Sequence, residues 1–176
     1  YNSLPIKERD PKFLFTLILY GFQQQIRFNS KYEFNNPSGN RWFNENVLEK
    51  LVSFSRVIQE KDIEYYSENF LALEKDITSN DFVYLDPPYM NTTGTYNDGK
   101  RGFNGWNVDD ENDLKNFVDR LDKKDIKFML SYVIYHKDKT NHNILDWVKN
   151  KGYTLIKLDK EAGRSRNEVL ILNYEQ

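Results

Sequence analysis

The chain has 176 residues and a formal net charge of −2, long enough for a domain with a core of its own and without the bulk positive charge of a general nucleic-acid binder. It has no cysteine, which excludes disulfides and thiolate metal sites, and its two histidines are too few for a histidine-rich metal centre. No apolar run approaches the roughly 20 residues of a membrane span and no signal peptide is visible, so a cytoplasmic protein is expected; the first residue is Tyr1 rather than Met, which fits a fragment of something longer.

Asp10-Pro11 predicts an N-cap followed by proline at the first helical position. The spacing then predicts a helix over 13–26. Its apolar residues surround the whole circumference, so the helix is expected to be buried between other elements. Gln23, Gln24 and Gln25 close it and are taken as polar surface rather than base-reading groups. From Arg27 to Trp42 basic residues interleave with aromatics, and Asn35-Asn36-Pro37-Ser38-Gly39-Asn40 forms a dense turn cluster. That composition suits either phosphate contact with stacking on bases or a plain exposed hairpin. An amphipathic helix follows over 44–60, then a strand over 62–67. Glu68-Asn69-Phe70-Leu71 suits a short capped helix with Phe70 and Leu71 in the core, or a ligand contact.

Phe82, Val83, Tyr84 and Leu85 form an apolar run that predicts a buried strand. It stops at Asp86-Pro87-Pro88-Tyr89, because two prolines lack amide donors and fix φ. The result is a rigid corner at a strand's C-terminal end, the rim where open α/β sheets bind ligands. Asp86 and the freed carbonyls of Asp86 and Pro87 can accept hydrogen bonds from an amino group, and Tyr89 can stack on a flat ring. The bland reading is an ordinary strand end in which Asp86 caps a turn and Tyr89 packs. The stretch from Met90 to Trp106 reads as a long loop, with Lys100 and Arg101 placed to reach phosphates; its glycines match no phosphate-binding fingerprint.

A helix capped by 107–109 runs to about Lys123, its early acids suiting the helix dipole. A strand follows over 127–131. The polar segment 136–143 reads as loop, with His136 and His142 solvated rather than catalytic. A helix over 144–151 and strands over 153–158 and 169–174 complete the chain; the tip between those strands carries Lys160, Arg164 and Arg166, read as a phosphate contact. Strands alternating with helices from residue 62 predict a mostly parallel sheet with an antiparallel last pair.

Three motifs carry a resemblance. Phe82 to Tyr89 resembles the catalytic motif of the Dam-type (D12 class) adenine-N6 DNA methyltransferases. Arg27-Phe28-Asn29 with Glu33-Phe34-Asn35-Asn36-Pro37-Ser38-Gly39 resembles that family's DNA-contacting hairpin, and Glu168 to Tyr174 is similar to its last strand. The resemblance implies an α/β fold: the carboxy-terminal part of a Rossmann-like methyltransferase sheet over 61–176, and a helix-hairpin-helix target-recognition lobe over 1–60. It implies methyl transfer from S-adenosylmethionine to N6 of a flipped adenine in a short duplex site, as in restriction-modification. Asp86, Pro87, Pro88 and Tyr89 would be catalytic. Asn69, Phe70 and Asp86 would face the cofactor, with Asn69 where the family often has an acid. Arg27, Phe28, Asn29, Lys31, Lys100, Arg101, Arg164 and Arg166 would face DNA, Phe28 as a wedge, and no metal is implied. The family's amino-terminal half, with its Gly-rich cofactor loop, is not recognisable and is expected as a separate chain or segment. Two alternatives remain: a non-catalytic DNA-binding fragment, or a methyltransferase acting on another planar amine, such as RNA or a glutamine side chain.

Overall fold

The computed structural model describes residues 1–90, 106–136, 139–158 and 166–175. They fall into two compact units, whose boundary lies between Ser67 and Glu68.

In the first unit, helix α1 (Pro11–Tyr20) starts as predicted: Pro11 is at its first turn and the Asp10 side chain accepts from the Lys12 amide at 2.8 Å. It stops at Tyr20 instead of Ile26, because the turn cluster takes over the Tyr20 carbonyl and the Phe22 amide. The Gly39 amide donates to the Tyr20 carbonyl at 2.7 Å, and the Phe22 amide donates to Pro37 at 2.8 Å. Gln23 and Gln24 then adopt φ of 52° and 55°, which no α-helix accommodates. The expected all-round burial is not found either. Leu19 is the one buried residue of α1, and Phe13 is 59% exposed, since no described element of this unit covers that side.

Helix α2 (Glu45–Glu60) is capped by Asn44, whose side chain accepts from the Val47 amide at 3.0 Å. Its apolar residues keep helical spacing, yet none is buried. The strand expected over 62–67 does not form: these residues pair with no ladder, and Tyr65 is 74% exposed.

Gly39 is required by close approach. A Cβ there would stand 2.7 Å from the Gly21 carbonyl oxygen and 3.0 Å from its carbon, both of them backbone. Gly39→Ala is expected to push the turn off α1 at a cost of about 1–3 kcal/mol. Faster hydrogen exchange at the Gly39 and Phe22 amides is the check.

The second unit is built on a mixed sheet of β1 (Phe82–Leu85), β2 (Lys127–His136), β3 (Lys139–Thr140), β4 (Thr154–Lys157) and β5 (Arg166–Leu172), in the order β1-β2-β5-β4 with β3 on β2. Helix α3 (Val108–Lys123) connects β1 to β2, and α4 (His142–Lys151) leads toward β4. The sheet is not mostly parallel. Among the described residues only β1–β2 is a parallel pair, because β5 inserts antiparallel between β2 and β4.

The polar segment 136–143, expected as loop, carries β3 and the first turn of α4, and β2 itself reaches His136. A register shift between Val133 and Tyr135 accompanies this, with the Ile134 carbonyl turned to accept from the Asn141 amide at 2.8 Å. The core gathers Leu114, Phe117, Val118 and Leu121 of α3, Phe128, Leu130 and Tyr132 of β2, Ile144 and Val148 of α4, and Val169 and Ile171 of β5. As an inner strand of the sheet, β2 is covered on both faces, and Ser131 to Val133 are all buried. By contrast, β1 is an edge strand. Val83 and Leu85 turn toward the core, while Phe82 and Tyr84 stay 53% and 57% exposed, so the run predicted as buried is buried on one face. The 3-10 turn Phe70–Asp76 is tied to α3 by a two-pronged pair, Arg120 Nε and Nη2 each donating to Glu74 Oε2 at 2.9 and 2.8 Å. That guanidinium holds the Glu74 carboxyl below the usual range.

Candidate active site

The parallel register pairs Leu85 with Leu130, so β2 runs on past the end of β1 and carries Ser131 and Tyr132 alongside the Asp86–Tyr89 corner. The two prolines end β1, and the chain turns there with Asp86 exposed and Pro87, Pro88 and Tyr89 half-buried. The Tyr89 hydroxyl donates to Asp86 Oδ1 at 2.6 Å. This leaves Oδ2 as an open acceptor, on a carboxylate whose rotation is already held. The Tyr89 ring meets the Tyr132 ring edge-on, with centroids 5.3 Å apart at 71°.

Behind the corner lies a buried polar group. Glu111, fully buried on α3, accepts from the Tyr132 hydroxyl at 2.5 Å, from Asn141 Nδ2 at 2.8 Å and from Asn143 Nδ2 at 2.9 Å. The Met90 amide in turn donates to the Tyr132 hydroxyl at 3.5 Å, the long limit of such a bond.

Burial, and then the hydrogen bond to Asp86, push the Tyr89 hydroxyl above the ordinary tyrosine value of 10.0. Burial, and then the bond to Glu111, do the same for Tyr132; burial and the nearby Asp119 do it for Tyr153. The fold therefore favours the neutral phenols. The associated stability is complete below the ordinary tyrosine range and is lost as pH rises through the higher folded values. Ultraviolet difference titration is expected to show these three tyrosines ionising only at strongly alkaline pH, together with unfolding.

The other residues singled out from sequence sit as follows. Asn69 Oδ1 accepts from the Leu71 amide at 2.9 Å, capping the 3-10 turn, and Phe70 packs edge-on against Phe117 with centroids 5.2 Å apart. Of the two uses weighed for this pair, the structure displays the capped turn with Phe70 against the core. Arg27 and Lys31 are exposed. Asn29 is committed to its own turn: Oδ1 accepts from the Lys31 and Glu33 amides at 2.9 and 3.0 Å, and Nδ2 donates to Glu33 Oε2 at 2.6 Å. Phe28, expected to wedge into the base stack, is 3% exposed in the DNA-free structure, its ring edge-on to Phe34 at 5.9 Å. The cause is the antiparallel bridge between Phe28 and Phe34, which turns both rings into the small core of the first unit. Lys100, Arg101, Lys160 and Arg164 lie outside the described residues, and Arg166 opens β5.

Sequence reasoning missed Glu111, Asn141 and Asn143; the resemblance puts the strand end Ser131-Tyr132 on the rim with Asp86, but the bond from Tyr132 to Glu111 was not foreseen. One signal was available: Glu111 shares a helical face with Leu114, Val118 and Leu121, so a carboxylate stands in the apolar stripe as well as among the early acids that suit the helix dipole. The first unit also holds an open cleft of about 290 Å³, lined by Gln24, Arg41, Trp42, Asn44 and Lys50 among others. Arg41 Nη1 donates there to Gln24 Oε1 at 3.1 Å, which joins a residue taken as plain surface to a basic side chain beside an exposed indole. Among the described residues no cluster of three His, Cys, Asp or Glu side chains offers a metal site, and no helix is long and apolar enough to cross a membrane.

The sequence pattern of D12 class N6 adenine-specific DNA methyltransferases matches residues 6–161, and the chain belongs to that family. It is 42% identical over 99% of its length to the modification methylase StsI of Streptococcus sanguinis, and covers 28% of that protein. It is 38% identical over 99% of its length to the modification methylase LlaI of Lactococcus lactis subsp. lactis, and again covers 28% of it. The type II methyltransferase M.FokI of Planomicrobium okeanokoites is 38% identical over 96% of the chain, which spans 27% of that relative.

Proposed function

We propose that this chain is the acceptor-binding part of an enzyme that methylates N6 of adenine in a short duplex DNA site, as the modification partner of a restriction system. The observation that carries this reading is the Asp86–Tyr89 corner on the sheet rim, with its carboxylate held from one side by Tyr89. The target base is stacked inside the duplex, so it is flipped out at a cost of a few kcal/mol. Its amino group donates to Asp86 and to the Pro87 carbonyl, and its ring lies against Tyr89. Those bonds draw the nitrogen lone pair out of conjugation and aim it, and alignment supplies much of the rate. S-adenosylmethionine would supply an electrophilic methyl group on a sulfonium, whose sulfur would leave as a neutral thioether. The departing N6 proton passes to Asp86 or to solvent.

The chain's residues fit the acceptor better than the donor. Asn69 and Phe70 are engaged in the capped turn and against Phe117, and no strand followed by closely spaced glycines precedes them. Holding the methyl donor is therefore assigned mainly to segments of the enzyme outside this chain, with Asp86 facing it across the acceptor. Exposed Phe82 and Tyr84 on the edge strand β1, and relatives more than three times as long, support that division. Arg27 and Lys31, exposed beside the hairpin turn, and the Gln24–Arg41 cleft suit phosphate and base contact.

The test is labelled methyl transfer to duplex DNA by the chain alone and by the longer protein that carries it, with the product resolved as nucleosides. N6-methyladenine supports the reading. Label in RNA or in a glutamine side chain would replace it with transfer to another planar amine. Salt-sensitive DNA binding without transfer by either form would leave a binding module.

A further inference from the structure

We infer that Glu111 is a positioning residue for the Asp86–Tyr89 corner, acting through the Tyr132 hydroxyl; the inference rests on the function proposed above. Glu111 is fully buried, and all three of its side-chain donors come from other elements: Tyr132 from β2, Asn141 from the cap of α4 and Asn143 from its first turn. A carboxylate with such a shell is an acceptor only, so every group around it is oriented as a donor.

The consequence falls on Tyr132. Its hydrogen points at Glu111, which leaves its oxygen lone pairs for the Met90 amide. Met90 directly follows Tyr89, and the Tyr132 ring is the surface on which Tyr89 packs. One buried phenol therefore fixes both the backbone leaving the corner and the ring that closes it. Asn141 makes this arrangement rigid. Its amide bonds the Ile134 carbonyl at the bulge, and its Oδ1 accepts from the Ile144 amide at 3.1 Å, so the groups holding Glu111 are themselves held. A carboxylate serving packing alone would not need to end its hydrogen-bond chain one residue beyond Tyr89.

The test compares Tyr132→Phe, Glu111→Gln and the double variant in the longer protein that carries this chain. Tyr132→Phe removes one oxygen and keeps the ring, so it is expected to fold. It is expected to lower kcat about 10- to 100-fold through corner misplacement while KM for DNA stays within about twofold, because DNA binding lies largely elsewhere. Hydrogen exchange at the Met90 amide is expected to quicken in Tyr132→Phe and in Glu111→Gln. The double variant is expected to turn over no more slowly than Tyr132→Phe, the non-additivity of two groups acting in one chain. An unchanged kcat with unchanged Met90 exchange in Tyr132→Phe overturns the inference. So do additive losses, which would leave Glu111 acting on the fold alone. If the parent protein transfers no methyl group to DNA, the proposed function fails by itself, and Met90 exchange still decides whether Glu111 positions the corner.

Discussion

Asp86→Ala is expected to lower methyl transfer to adenine by about 10²–10³-fold, the range for removing one preorganised hydrogen-bonding group from a reacting centre. Duplex affinity is expected to stay close to that of the parent. Asp86 is on the surface, and its side chain accepts from the Tyr89 hydroxyl. Removing an exposed carboxylate of this kind shifts stability by about 0.5 kcal/mol or less, so a large loss of rate cannot come from unfolding. Asp86→Asn separates charge from acceptor capacity. Its carbonyl can still take the Tyr89 hydroxyl, but its NH2 then faces the substrate amino group, donor against donor. The rate of the asparagine variant is therefore expected to stay close to that of the alanine variant. Single-turnover transfer with labelled donor, alongside equilibrium DNA binding, measures both. A rate for Asp86→Ala within about tenfold of the parent, less than the loss of any such group, would remove Asp86 from the chemistry.

What could be foreseen here followed from local rules. The caps at Asp10, Asn44 and Asn107 are written in side chains that bond amides two or three residues on, so the starts of α1, α2 and α3 were legible. The corner was legible because Pro87 and Pro88 forbid a ladder whatever surrounds them. What was missed depends on neighbours. The end of α1 is set by Gly39, Pro37 and Asn36 reaching back across the turn, and Asn36 Nδ2 bonds the Phe22 carbonyl at 2.9 Å. Nothing within residues 11–26 announces that. The stretch 62–67 has strand composition, but a strand exists only with a partner, and none pairs with it among the described residues. The same dependence explains β1: composition says that Phe82 and Tyr84 are apolar, and position at the sheet edge decides that they are exposed. In the site, Asp86 and Tyr89 were legible as a motif. The bond between Glu111 and Tyr132 was not, because it joins an α3 residue to a β2 residue and no local rule pairs them.

Phe28→Ala provides the second large effect, and its sign separates packing from wedging. The ring is 3% exposed and lies edge-on to Phe34, while the backbone between them is closed by the Asn29 amide on the Glu33 carbonyl at 3.0 Å and the Asn35 amide on Arg27 at 3.1 Å. Asn2 adds a clamp from outside, donating to the Phe34 carbonyl at 2.9 Å and accepting its amide at 2.8 Å. Deleting a buried phenyl ring costs about 3–5 kcal/mol, part transfer and part cavity. Among the described residues of the first unit few are buried, Leu19, Phe28 and Phe34 being the hydrophobic ones. Such a loss is therefore expected to open the hairpin in the DNA-free protein, seen as faster exchange at the Asn29 and Asn35 amides. DNA binding would then weaken for every sequence alike, because Arg27 and Lys31 lose the frame that presents them. A ring acting as a wedge predicts the opposite pattern: amide exchange without DNA unchanged, and only the fluorescence of a base analogue at the target position altered. Measuring exchange before any DNA is added distinguishes the two, and the edge-on burial against Phe34 places the expected change in the free protein.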